Sequence, residues 1–363
     1  MANYYVGSGG NDGNAGTSWA LRKLTIQAAV NVATTAGDSV LVGPGTYRET
    51  VTMGSSGSAG NVISLIGDYT GTNTSGTKGV VRLTGSNDDI SATRLYCIVA
   101  SGKNYITVRG FVIDGCSSHG IYLTNATYTT VDQCALRHAT GTGIECNGAS
   151  QSNITVSRCM FEPHSGAHAV EFTHSATING AGHVVENCIV AGAADSSGIR
   201  IVRVGGITAR NCLVIGMLYG INIAAALAAG QTLTVNNCIV ESCRYALIAA
   251  ANDGTFVENY NVLATNNQNA RSNVTAGANS VARQIHRDPR WFFEALNGGR
   301  MVTPFDLASY SSIVEYNSGT GAPSTDIRGA TAVGTYREWG AAEYSANYRI
   351  SGPVSIVPIG GIG

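Results

Sequence analysis

Charge is scarce in this 363-residue chain: Asp, Glu, Lys and Arg together make up 12%, and Lys23, Lys78 and Lys103 are its only lysines. With a formal net charge of −1, there is no basic footprint of the kind that nucleic-acid binding requires. Aromatic residues are 7% and prolines number seven, so neither broad aromatic surfaces nor proline-rich spacers dominate the chain. No apolar run approaches the roughly 20 residues of a membrane-spanning helix. The opening Met1-Ala2-Asn3-Tyr4-Tyr5-Val6 has neither a basic n-region nor an apolar h-region. The expectation is therefore a protein without a signal peptide, made in a reducing cytoplasm, with no membrane partner. The sequence also lacks a His-Glu-x-x-His motif, paired Cys-x-x-Cys motifs, a phosphate-binding loop and a nucleophile elbow, which removes the best-marked metal, nucleotide and serine-hydrolase sites.

What the chain does have is repetition. Cys134, Cys159, Cys188, Cys212 and Cys238 recur at spacings of 25, 29, 24 and 26 residues. Each closes a short phrase of one form, as in Val131-Asp132-Gln133-Cys134, Val185-Glu186-Asn187-Cys188 and Val235-Asn236-Asn237-Cys238. A second phrase keeps step with it: Gly120-Ile121-Tyr122-Leu123, Gly143-Ile144-Glu145-Cys146, Ala169-Val170-Glu171-Phe172, Gly198-Ile199-Arg200-Ile201 and Gly220-Ile221-Asn222-Ile223. Short strands separated by Gly, Ser, Thr and Asn turns, with a period of about two dozen residues, predict a parallel β-solenoid. No repeat has enough apolar surface to fold alone, whereas strands stacked about 4.8 Å apart build one continuous core.

In the first phrase the apolar residue and the cysteine are three apart, so both face inward only if the chain bends between them. Asn187, Asn211 and Asn237 occupy that bend, a position that tolerates unusual backbone angles. The cysteines are thus read as buried small hydrophobes, and all nine as reduced. The same phrase is expected at Val108-Arg109-Gly110-Phe111 and at Val257-Glu258-Asn259-Tyr260.

Ile26, Ala29, Val30 and Ala33 lie at helical spacing after a potential N-cap, Thr25, with Gly37 beyond, which predicts a short helix laid across an open solenoid end. The expected organisation is an N-terminal segment and capping helix over 1–38, coils over 39–265 and an irregular C-terminal cap and tail over 266–363. The first strand is placed at Asp38–Val42. In the C-terminal part, Trp291, Phe292 and Phe293 are expected to cover the open end. The apolar stretch Val354, Ile356, Val357 and Ile359 is expected to dock on a neighbouring subunit.

The residues Tyr4-Tyr5-Val6, Thr25-Ile26-Gln27-Ala28-Ala29-Val30, Gly37-Asp38-Ser39-Val40 and Pro44-Gly45-Thr46-Tyr47-Arg48-Glu49 resemble the N-terminal signature of pectate-lyase-like right-handed parallel β-helix proteins. The resemblance implies an all-β, single-stranded right-handed parallel β-helix. The segments Thr325-Asp326-Ile327-Arg328-Gly329 and Glu338-Trp339-Gly340 resemble, more loosely, the closing segment of such proteins. The superfamily includes polysaccharide lyases, hydrolases, epimerases and bacteriophage tail spikes, and the leaderless opening resembles phage-encoded members.

The third residues of the second phrases form one outward file: Tyr122, Glu145, Glu171, Arg200 and Asn222. Two carboxylates on neighbouring rungs with an arginine beyond can hold calcium or supply an acid and a base for sugar chemistry. The simpler reading is a solvated polar stripe in which Arg200 offsets the glutamates. Glu162-Pro163-His164 resembles the Asp-Pro-His motif of alginate C5-epimerases, with Glu in place of Asp, and His119 and His168 each directly precede a second phrase. For a pectate-lyase-type site the acids Asp114, Asp132 and Glu145 are dispersed in coil position.

The sequence reading is a non-catalytic virion structural protein, a capsid decoration or spike component, with other virion subunits, self-association through the tail and glycans as expected partners. The alternative is a polysaccharide lyase, epimerase or hydrolase using Glu145, Glu171, His164, His168 and Arg200, with calcium as cofactor in the lyase case and otherwise no metal. The second alternative is a glycan-binding module with Tyr122, Tyr219 and Tyr245 as platforms.

Overall fold

The computed structural model describes residues 1–163, 166–192, 195–250, 256–264, 268–277 and 280–283. The expected C-terminal cluster at 291–293, the closing segment and the tail at 353–363 lie outside the described residues, as does His164.

Short strands wind into about nine turns, and like strands of successive turns pair in parallel to form three long sheets. The first sheet runs from Asn3–Val6 to Phe256–Asn259, the second from Gly45–Tyr47 to Val281–Arg283 and the third from Val51–Thr52 to Asn269–Ser272. Strand pairing therefore begins before the expected first strand. Asn3–Val6 pairs in register with Ser39–Val42, a rung hidden in the sequence by the glycine-rich stretch that follows it. It also continues past 265, through Asn269–Ser272 and Val281–Arg283.

The helix spans Ile26–Val30 and buries Ile26, Ala29 and Val30 against the first turns. Thr25 accepts the Ala28 N–H, and the Glu49 carboxylate accepts the N–H groups of Ile26 and Gln27 at 2.8 and 2.9 Å. Those amides have no partner inside the helix.

The cysteine phrase behaves as its spacing predicts. Val131, Val156, Val185, Ala209 and Val235 are successive register partners, and they and the five ladder cysteines are fully buried. The chain reverses its facing at the residue just before each cysteine, where φ is positive: Gln133, Arg158, Asn187, Asn211 and Asn237. Asn211 Nδ2 donates to Asn187 Oδ1 at 2.6 Å, continuing the stack as a buried amide ladder. Each thiol donates to the backbone carbonyl two residues earlier, as Cys159 does to Ser157 at 3.2 Å.

Two expectations fail here. In the last phrase the inward residue is Glu258, the register partner of Val235, while Val257 is 48% exposed. Asn261 takes the cysteine position and accepts the Cys238 N–H. Phe256 and Glu258 obey strand alternation, and Glu258 is tolerated inside because Arg271, Asn261, the Gly277 N–H and the Ser280 hydroxyl all donate to it. The second failure concerns redox state: Cys97 and Cys116 are joined as a disulfide, while Cys134, Cys146, Cys159, Cys188, Cys212, Cys238 and Cys243 are free and buried. Cys97 and Cys116 stand outside the five-rung ladder, on adjacent turns of the third sheet, in the paired strands Arg94–Ser101 and Cys116–Thr124.

Candidate functional site

The third sheet carries two polar files. The first is the one expected from the repeats, since Tyr122, Glu145, Glu171, Arg200 and Asn222 are consecutive register partners. The second consists of the residues immediately before each phrase, His119, Thr142, His168, Ser197 and Tyr219, and continues in Tyr245, the register partner of Tyr219. His119 pairs with Tyr96, Thr142 with His168, and Ser197 with Tyr219.

Side chains of the first file lean back one turn onto the second. Glu145 Oε2 meets His119 Nε2 at 2.9 Å, Thr142 Oγ1 donates to Glu171 Oε2 at 3.4 Å, and Asn222 Nδ2 donates to Ser197 Oγ at 3.2 Å. Within the first file, Arg200 Nη1 donates to Glu171 Oε1. The expectation of a solvated stripe is thereby corrected. Glu145 is only 9% exposed and Glu171 7%, because each carboxylate is covered by neighbours from the turns beside it.

The backbone fixes the tautomers of the two histidines. Thr142 N–H donates to His119 Nδ1 at 3.0 Å, and Ser197 N–H donates to His168 Nδ1 at 3.2 Å. With Nδ1 an acceptor, the ring hydrogen resides on Nε2. His119 therefore donates to Glu145. His168 presents an Nε2–H, which makes it a hydrogen-bond donor. Burial, reinforced by the nearby Arg200 charge, lowers the His168 pKa to about 4, so the ring is neutral at pH 7.

The two glutamates are pushed apart. Burial raises the Glu171 pKa, the charge of Glu145 adds to this, and Arg200 opposes it without cancelling it. Burial also acts to raise Glu145, but hydrogen bonds from His119 and from Asn147 Nδ2 at 3.2 Å outweigh it and hold this carboxyl below its usual range. Neighbouring carboxyls with opposite shifts are the arrangement from which acid and ionised roles can be assigned.

Aromatic rings flank the acids on both sides. Tyr122 stacks on Tyr96 at 4.8 Å and 9°, and on His119 at 5.7 Å. Tyr219 and Tyr245 stack at 5.6 Å, with Arg244 over Tyr245. All three expected tyrosines thus lie on the third sheet with the acid cluster. Sequence reading passed over Tyr96, Thr142 and Asn147 and left His119 without a role; their signal was position, in or beside the recurring second phrase.

Asp114 and Asp132 do not join the cluster. Asp114 is held by Arg82 at 2.9 Å and faces Arg137 at 3.5 Å, while Asp132 is held by Arg158 and faces Arg109. Among the described residues no group of three or more His, Cys, Asp or Glu side chains is arranged to hold a metal ion.

Residues 96–269 match the family described as "Right handed beta helix region". The parallel strands of that stretch are the turns of a right-handed β-helix. The pectate lyase Pel9A is similar in structure at 16% identity, covering 95% of this chain and 97% of its own, with a TM-score of 0.58. An alginate lyase from Paenibacillus sp. str. FPU-7 is similar at 14% identity over 71% of this chain and 94% of its own, with a TM-score of 0.43. A GH136 lacto-N-biosidase from Eubacterium ramulus matches at 10% identity over 78% and 68%, with a TM-score of 0.46. No curated protein matches the chain. At 16% identity the likeness to Pel9A is one of fold.

Proposed function

We propose that this β-helix protein binds a glycan along the third sheet and hydrolyses a glycosidic bond there, with Glu171 as proton donor and Glu145 as its ionised partner. The carrying observation is the pair of glutamates on neighbouring rungs with opposite pKa shifts. Glycoside hydrolysis needs one carboxyl that gives a proton to the leaving oxygen and one that stays ionised, and the raised Glu171 is the more readily protonated of the two. Neighbouring rungs lie roughly 4.8 Å apart, which puts both carboxyls within reach of one glycosidic bond.

His119 and Asn147 keep Glu145 charged, and the neutral Nε2–H of His168 is suited to a sugar hydroxyl. Elimination from a uronate is favoured less, because that chemistry needs a free cation against the substrate carboxylate, whereas Arg200 is engaged by Glu171. The tyrosine stacks on either side supply apolar faces for flanking sugars.

The test is a panel of neutral and acidic polysaccharides assayed for new reducing ends. Glu171→Gln and Glu145→Gln should each reduce cleavage about 100-fold or more, with the far-UV spectrum unchanged. Cleavage by both variants at the unsubstituted rate would refute the assignment. A glycan-binding module without cleavage is the second reading, carried by the tyrosine stacks; binding without any product from the whole panel would select it.

A further inference from the structure

A second aromatic stack lies off the polar files, at the bend that leads from the third sheet to the first. Tyr105 and Tyr128 sit on the same two turns as Tyr96 and Tyr122, their rings 4.7 Å apart and 2° from parallel. Both have left-handed backbone, with φ of 54° and 49°, a conformation unfavourable for a bulky side chain. The bridges Asn104↔Thr127↔Ser152 fix the register of this bend. The equivalent position on the next turn is therefore Asn153, with φ of 51°, the residue type that such a position favours. Two successive turns thus hold tyrosine where asparagine is better suited to the backbone. Nor is the pair buried to form core: Tyr128 is 49% exposed and Tyr105 half-buried. Asn104 and Thr127 directly precede the two tyrosines, and Ser152 and Asn153 hold the same bend on the next turn, all of them neutral amides or hydroxyls.

A strained, partly exposed stack of two tyrosines beside neutral polar residues matches the chemistry of a sugar, whose C–H face packs on a ring while its hydroxyls hydrogen-bond at the edge. Backbone strain kept at an exposed position points to function. We infer that Tyr105 and Tyr128 form an accessory glycan-binding site, separate from the acid cluster, that anchors a polysaccharide chain to the β-helix. The inference rests on the glycan reading only for the class of ligand; it needs no catalysis.

The test uses Tyr105→Asn and Tyr128→Asn, singly and together, because asparagine suits the left-handed backbone and the variants should melt no lower than the unsubstituted protein. Retardation is measured in native gels containing xylan, glucomannan, homogalacturonan or alginate, with the Glu171→Gln protein run alongside. The expected result is retardation by at least one polysaccharide, weakened about tenfold or more in the double variant and preserved in Glu171→Gln. Equal retardation of the double variant, or no retardation by any of the four, overturns the site. Cleavage retained in Glu171→Gln refutes the proposed catalysis and leaves this inference standing on the gel result alone.

Discussion

Acidification should destabilise this protein through one buried imidazole. His183 is fully buried, stacks on Phe172 at 4.5 Å, and accepts the Ile154 N–H on Nδ1 at 3.1 Å. Charging the ring puts a proton on Nδ1, where the amide already points, and places a cation in an apolar core. Burial accordingly lowers its pKa to about 3 from 6.5. A lowered histidine pKa means that the unfolded chain binds the proton first, so the contribution to stability is complete above about pH 6.5 and is lost as pH falls toward about 3. At 1.36 kcal/mol per unit, roughly 3 kcal/mol is lost by about pH 4.5 and about 5 kcal/mol over the whole window.

The assay is urea unfolding at about pH 7 and pH 4.5 for the unsubstituted protein and for His183→Phe. The variant leaves the Ile154 amide unsatisfied at a cost of about 1–3 kcal/mol at both pH values, but it removes the titration. Its loss between the two pH values should be smaller by roughly 3 kcal/mol. His168, lowered to about 4, contributes in both proteins and cancels. Parallel pH dependence in the two proteins would refute the argument.

Arg200→Ala strips the charge partner from a carboxylate that is 7% exposed. Because the Arg200 side chain is 31% exposed, the expected cost is about 1–2 kcal/mol at neutral pH. It should shrink at about pH 4, since Glu171 loses its counter-charge and its already raised pKa rises further; an equal cost at both pH values, by chemical denaturation, contradicts the pairing. Thiol titration should find no reactive ladder cysteine in the native state and seven free thiols after denaturation. Reductant should lower stability by about 3 kcal/mol, because it opens the Cys97–Cys116 link across a 19-residue separation. Nine thiols in the denatured, unreduced protein would mean that the disulfide does not form.

The coils and the first polar file were readable because in-register stacking turns a sequence repeat directly into neighbouring side chains. Val185 could be placed inward and Glu171 beside Glu145 from spacing alone. Spacing says nothing about contacts between residues three positions apart on successive turns, so the His119–Glu145 pair and the covering of Glu171 emerged only in three dimensions. Histidine tautomers depend on backbone amides, Thr142 and Ser197, whose direction no side-chain pattern reveals. The phrase at Val257 misled because its apolar residue is one place out of register and the true inward residue is a glutamate, acceptable only with four donors around it. Asn3–Val6 was missed as a rung because its partner strand lies over 30 residues away, beyond a loop and the helix.

The central claim is that water is added across a glycosidic bond at Glu145 and Glu171. It is tested most directly by digesting a cleaved polysaccharide in isotopically heavy water and weighing the products. Hydrolysis predicts saturated fragments with the heavy oxygen incorporated at the cleavage site, and a loss of about 100-fold or more in product formation for Glu171→Gln. Unsaturated, ultraviolet-absorbing fragments without heavy oxygen, or products formed equally by Glu171→Gln, would contradict it.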